Sequence, residues 1–218
     1  MQITETNSNR KKRFIVVAGN IGVGKSSLTK WLAEQLGYEP FFEPVMGNPY
    51  MDDFYADMKR WSFHCQVFFL SQRFEHHKKI DACPHPVIQD RSIYEDSEIF
   101  AKNLYQQGLM EERDYQNYLQ IFQVMYPFFQ PPDLLIYLKA SVPTLMRRIR
   151  MRDRSYERSI PRDYIEQLNV LYDDWISRFD SCPKLVLPAD DLDFIDSYYD
   201  FSYILDMIKA MELENAPR

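Results

Sequence analysis

RFIVVAGNIGVGKSSL (residues 13–28) decides the fold. Residues 13–19 form a short apolar run closed by glycine, which reads as a buried strand. From Lys25 onward, Leu28, Trp31, Leu32 and Leu36 recur at helical spacing, and Gly37 ends the helix. Between the two lies Gly19-x-x-x-x-Gly24-Lys25-Ser26, the phosphate-loop spacing in the strand-to-helix context that it requires. The glycines let the backbone curl so that its N–H groups face phosphate oxygens, and the helix N-terminus adds a favourable dipole. The loop Gly19, Asn20, Ile21, Gly22, Val23, Gly24, Lys25, Ser26 and Ser27 is therefore expected to hold ATP or GTP. Lys25 would bridge the β- and γ-phosphates, and Ser26 would ligate Mg²⁺.

Outward from this stretch, strands are expected at 38–45, 86–92, 133–139 and 184–189. Helices are expected at 48–80 with a break near Lys59, about 95–107, 111–126, 142–151, 161 to about 179, and 195–211. Strands alternating with helices indicate a parallel sheet. The 218 residues, 45% apolar and 27% charged, suit one α/β domain with a full core. Residues 1–12 read as a flexible lead-in with no signal-peptide core. No apolar run approaches the roughly 20 residues that span a bilayer. A net charge of −6 argues against a nucleic-acid binder. Three cysteines without CxxC spacing point to reduced thiols in a cytoplasm, and the four histidines lack zinc-ligand spacing.

The remaining chemistry sits in EPV (43–45), RWSFHCQVFFLSQR (60–73), QDRSIYED (89–96) and RIRMRDRSYERSIP (148–161). No NKxD-type base motif follows the fourth strand, which runs into Lys139-Ala140-Ser141, so a GTPase is disfavoured. Glu43 falls at the C-terminal edge of the sheet, where a carboxylate can take a proton from a hydroxyl attacking a γ-phosphate. A solvated loop glutamate would look the same. Asp90 ends the third strand opposite the loop serine and suits Mg²⁺, while Arg91 supplies a planar cation for phosphate oxygens. Gln66 and Arg73 lie two turns apart on one face of a helix that is apolar nearly all round. Either neighbouring side chains or a flat heterocycle with donor and acceptor edges would satisfy them. Arg147, Arg148, Arg150, Arg152, Arg154 and Arg158 crowd into twelve residues as a solvated surface, a nucleic-acid patch or a lid over polyphosphate. The i,i+4 pair Arg148 and Arg152 and the acidic chain favour the lid.

Taken in order, these stretches resemble the deoxyribonucleoside kinase family from Arg13 to about Leu213. The resemblance implies a P-loop kinase fold, with a five-stranded parallel sheet flanked by helices and an arginine-rich lid at about 148–159. It implies transfer of the ATP γ-phosphate to the 5′-hydroxyl of a 2′-deoxyribonucleoside. Glu43 would be the base, and Lys25, Arg91, Arg148, Arg152 and Arg154 would stabilise the moving phosphoryl group. Mg²⁺ would sit near Ser26 and Asp90. Many relatives carry Glu at the latter position, so the contact of the shorter Asp90 is direct or through water. Gln66, Arg73 and Asp96 would read the base edge, and Asp96 argues for the purine-and-cytosine branch. Tyr55 and Glu157 would hold the 3′-hydroxyl, with Val45, Phe100 and Tyr105 as walls, and Asp193 and Phe194 would contact the ATP adenine. The family further implies a homodimer through a helical bundle and feedback inhibition by a deoxynucleoside triphosphate. Deoxyadenosine is the expected acceptor, with deoxyguanosine or deoxycytidine as alternatives. The rival readings are a nucleoside monophosphate kinase of thymidylate kinase type and a catalytically silent nucleotide-binding subunit.

Overall fold

The structure, a computed structural model, describes residues 13–43, 47–192 and 197–214. Strands β1 (Phe14–Gly19), β2 (Glu39–Phe41), β3 (Val87–Asp90), β4 (Leu134–Lys139) and β5 (Lys184–Pro188) form one parallel sheet in the order β2-β3-β1-β4-β5. The strand expected first is the central one. Every residue of β1 is buried, as a continuous apolar run covered on both faces requires. Register places Val17 beside Asp90 and Gly19 beside Leu138. The phosphate loop and the end of β3 therefore emerge side by side at the C-terminal edge, where open α/β sheets bind ligands.

Helix α1 (Lys25–Leu36) starts directly from the loop and ends on Gly37 in the left-handed conformation. Two helices follow, α2 (Met51–Ala56) and α3 (Met58–Ala82). The break falls at Asp57, near Lys59 as expected, where the Asp57 carboxylate caps α3 by accepting from the Arg60 N–H at 3.1 Å. β2 is also shorter than expected and stops at Phe41, so Glu43 lies in the loop beyond it.

The helix expected at 95–107 begins earlier. Ser92 and Glu95 form a capping box over the short α4 (Ile93–Glu95), a π-helical segment (Asp96–Ala101) follows, and α5 (Lys102–Gln106) completes it. Then come α6 (Glu112–Met125), α7 (Val142–Arg152), α8 (Arg162–Arg178) and α9 (Tyr198–Glu214). Among the described residues no helix is long and apolar enough to cross a membrane.

Helix α7 presses on the phosphate loop. A Cβ added at Gly22, whose φ is +82°, would stand 2.7 Å from Ile149 Cγ1 and 3.0 Å from the Leu145 carbonyl oxygen. Gly22→Ala is expected to lower stability by about 1–3 kcal/mol through backbone strain and crowding. It should also weaken nucleotide binding roughly tenfold or more as the loop is displaced. Thermal melting with and without Mg-ATP checks both: the variant melts lower and gains less from nucleotide.

Candidate active site

The loop is braced from below by its own side chains. Asn20, buried, donates through Nδ2 to the Ile165 carbonyl (3.0 Å) and to Asn169 Oδ1 (2.7 Å), and its Oδ1 accepts the Ile21 N–H (2.7 Å). Lys25, 6% exposed, donates to the Asn20 carbonyl at 3.1 Å. Burial and the nearby Arg91 bring its ammonium down to about 8, against the pull of Asp90 and Glu43. Ser26 Oγ donates to Asp90 Oδ2 at 2.5 Å. Asp90 Oδ1 is buried without a hydrogen-bond partner among the described residues, and burial pushes this carboxyl upward. An orphaned carboxylate oxygen beside a serine hydroxyl is a hard-oxygen set that fits Mg²⁺. Among the described residues no cluster of three His, Cys, Asp or Glu side chains could hold a metal alone. An ion here would complete its shell with water and phosphate.

Glu43 is clasped by two arginines. Arg73 Nη2 reaches Oε1 at 2.6 Å and Arg91 Nε reaches Oε2 at 3.0 Å. Burial alone would raise this carboxyl, but Arg91, Arg73 and Lys25 overcome it and hold the group at about 2. Arg91 adopts φ +67°, a left-handed conformation that an arginine reaches only under tertiary constraint. Its guanidinium lies 4.4 Å from the Phe100 ring centroid.

Arg73, 1% exposed, donates through Nε to Asp96 Oδ2 (3.1 Å) and through Nη1 to the Arg91 carbonyl (3.2 Å) and the Asp90 carbonyl (3.5 Å). It thus joins Asp96, Glu43 and the end of β3. It is not among the residues lining the cavity, whereas its partner Asp96 is. Burial pushes the Asp96 carboxyl up to about 6, with Arg73 pulling the other way.

These groups border a cavity of about 400 Å³, a volume suited to a small organic ligand. Ile21, Gly22, Lys25, Ser26, Asp90 and Arg91 line it together with Glu43, Tyr55, Gln66, Asp96 and Phe100. Arg152, Arg154 and Glu157 line it too. The arginines expected to form a lid have the following partners. Arg152 forms a two-pronged pair with Glu157 (Nε to Oε2 3.0 Å, Nη2 to Oε1 2.6 Å), and Arg154 Nη1 stands 3.6 Å from the same carboxylate. Arg148 does not converge with Arg152; it ties the Val23 carbonyl (3.0 Å) to the Ala189 carbonyl (2.8 Å), joining the phosphate loop to the end of β5. Tyr105 stacks on Tyr115 at 4.5 Å and does not line the cavity. Val45, Asp193 and Phe194 lie outside the described residues.

Two site residues escaped the sequence. Glu95, fully buried, accepts from the Gly19 N–H (3.2 Å), and Tyr172 OH links it to Arg91 (2.8 and 3.0 Å). The Ser92-x-x-Glu95 capping box was a legible signal for the first. Nothing local marks Tyr172, which arrives from α8.

With this geometry in place, comparison with known proteins is informative. A family model described as deoxynucleoside kinase matches residues 15–211. The deoxyadenosine/deoxycytidine kinase of Bacillus subtilis (strain 168) is 42% identical over 207 residues, which cover 94% of this chain and 95% of that protein. A deoxyguanosine kinase of Lactobacillus acidophilus is 37% identical over 214 residues, covering 93% of each. The solved structure of deoxyadenosine kinase from M. mycoides with bound dATP matches with a TM-score of 0.80 and 30% identity, covering 90% of this chain and 99% of that one. The M. mycoides enzyme with products dCMP and a flexible dCDP bound gives 0.81.

The two perturbed groups predict opposite pH limbs. Asp96 loses its charge as pH falls through about 6 and can no longer act purely as an acceptor, so KM for the acceptor rises on the acid side. Lys25 loses its proton as pH rises through about 8 in the nucleotide-free protein, so KM for the donor rises on the alkaline side. Between these limits Glu43 stays ionised, and kcat should vary less than either KM. Initial rates measured across this range with each substrate varied in turn provide the check.

Proposed function

The chain belongs to the deoxynucleoside kinase family, ATP-dependent phosphotransferases acting on deoxynucleosides, and from that premise we propose how it works and which base it prefers. The observation that carries the reading is the clasp itself: Arg73 holds Glu43 with one end and Asp96 with the other, on a cavity shared with the phosphate loop. Glu43 accepts a hydrogen bond from the acceptor's 5′-hydroxyl and aims its oxygen at the γ-phosphate. A carboxylate held near 2 is a weak base. Phosphoryl transfer through a loose transition state asks mainly for orientation, with the hydroxyl proton passing to Glu43 late, as the new O–P bond forms and the bond to ADP breaks. Lys25 and Arg91 place positive charge where it develops on the transferring group. Arg152 and Arg154 add to it once Glu157 turns to the sugar 3′-hydroxyl with Tyr55. Ser26 and Asp90 would hold Mg²⁺, which would supply Lewis-acid neutralisation of phosphate charge.

Asp96 is an acceptor fixed by Arg73, so it suits the exocyclic amino group of adenine or cytosine, and the Gln66 carboxamide supplies a paired donor and acceptor. Guanine and thymine present a carbonyl at the corresponding position. The B. subtilis relative is named for deoxyadenosine and deoxycytidine, which supports deoxyadenosine first, deoxycytidine second and deoxyguanosine last. A monophosphate kinase would need free cations for the acceptor's phosphate, whereas Arg73 and Arg91 are both bound to Glu43. The acceptor is accordingly neutral.

We further assign a homodimer through the helices around α6, where Val124 and Phe128 are 72% and 65% exposed. The structure of the M. mycoides relative with bound dATP supports feedback by a deoxynucleoside triphosphate. The unbridged thiols of Cys65 and Cys182 support a reducing cytoplasm.

ADP release from Mg-ATP with deoxyadenosine, deoxycytidine, deoxyguanosine, thymidine, adenosine and dTMP in parallel is the test. Turnover in the order just given, with little from adenosine, thymidine or dTMP, is expected. Turnover with dTMP alone, or with no acceptor, would contradict the assignment in favour of a monophosphate kinase or a silent subunit.

A further inference from the structure

Glu95 has an environment that capping alone does not explain. It is 0% exposed, and each of its oxygens receives two hydrogen bonds. Oε2 accepts from the Ser92 N–H (2.7 Å) and Ser92 Oγ (3.1 Å), which is the capping box. Oε1 leaves the box altogether: it accepts the Gly19 N–H (3.2 Å), 76 residues away at the first position of the phosphate loop, and Tyr172 OH (2.8 Å). The same Tyr172 oxygen accepts from Arg91 Nη1 at 3.0 Å, and Arg91 Nε continues to Glu43. Arg91 Nη1 itself stands 3.9 Å from Glu95. An unbroken line of hydrogen bonds thus runs from Gly19 through Glu95, Tyr172 and Arg91 to Glu43. Glu43, Tyr172, the Gly19 backbone and the Arg91–Glu95 segment come from four separate parts of the sequence.

We propose that Glu95 and Tyr172 are positioning residues for phosphoryl transfer, fastening the phosphate loop and Arg91 to one buried carboxylate so that donor and acceptor are held in a single frame. This rests on the kinase reading above and deepens it. Arg91 needs such a fastening. Its backbone is in a left-handed conformation, and its side chain would otherwise be fixed only by Glu43 and by the Phe100 ring. The loop needs it as well, since the curl at Gly19 is set by where its N–H points.

The chemistry demanded at position 95 is narrow. One backbone N–H faces each oxygen, and a backbone N–H can only donate. A glutamine there sets its NH₂ group against one of those donors whichever way the amide is turned. Aspartate, one methylene shorter, cannot span from the cap to Gly19. A residue kept only to cap a three-residue helix would face no second N–H.

Tyr172→Phe and Glu95→Gln separate this from a purely structural role. Tyr172→Phe deletes one hydroxyl and leaves the capping box and the Gly19 bond in place. It is expected to lower kcat roughly tenfold or more while changing the Kd for Mg-ATP less than about twofold, because the hydroxyl that joins Arg91 to Glu95 loses both of its hydrogen bonds. Glu95→Gln touches both branches and is expected to lower kcat and weaken Mg-ATP, each by roughly tenfold. Melting temperature is recorded for both, and all rates are taken well below it.

If Tyr172→Phe keeps the parent kcat, or loses it only in step with a fall in melting temperature, the frame is overturned. If Glu95→Gln does not fold, Tyr172→Phe alone decides. A parent protein that phosphorylates no deoxynucleoside defeats the kinase reading instead, and that outcome shows in the parent before any variant is compared.

Discussion

The clasp of Glu43 between Arg73 and Arg91 is the interaction on which the rest of the site depends. Removing one partner from a buried ion pair typically costs about 3–5 kcal/mol, because the remaining charge is left without compensation. Here Arg73 also holds Asp96 and the carbonyls of Asp90 and Arg91, and those carbonyls belong to the turn that carries Arg91 into its left-handed conformation. Glu43, Asp90, Glu95 and Asp96 face Lys25, Arg73 and Arg91, one carboxylate more than cations. That excess suits a divalent ion, and the arrangement is organised before any phosphate arrives.

Sequence and structure agree where the signal is local. The phosphate loop, α1 at Lys25–Leu36 and the five parallel strands follow from short patterns whose meaning needs no distant partner. The sequence also brings Glu43, Gln66, Asp96, Tyr55 and Glu157 to one cavity, as the resemblance implied. What could not be read is which charge each polar group meets. Arg73 and Gln66 share a helix face, yet only Gln66 lines the cavity, since Arg73 finds two carboxylates from other elements. Arg148 and Arg152 are correctly spaced for convergence. Carbonyls at Val23 and Ala189 capture the first, and Glu157 the second. Boundaries failed for similar reasons: the Ser92–Glu95 capping box started a helix early, and the edge strand β2 ended early with only β3 to pair it.

The pairing of Arg152 with Glu157 bears on how the arginine segment works. Both side chains line the cavity, and each is expected on a different substrate. While they hold each other, neither charge is available. The roles proposed for the two residues require that pair to open, with Arg152 turning to a polyphosphate and Glu157 to the sugar. Arg152 is 33% exposed, so solvent screens the pair in part.

The most direct measurement is phosphoryl transfer by Glu43→Gln in a single turnover, beside calorimetric binding of Mg-ATP to the same protein. The amide keeps the shape and loses the charge that both arginines hold. Transfer slower by roughly a hundredfold or more with Mg-ATP still bound is the result expected of a carboxylate that orients the hydroxyl and accepts its proton. Transfer at the parent rate would contradict the account and remove Glu43 from its centre.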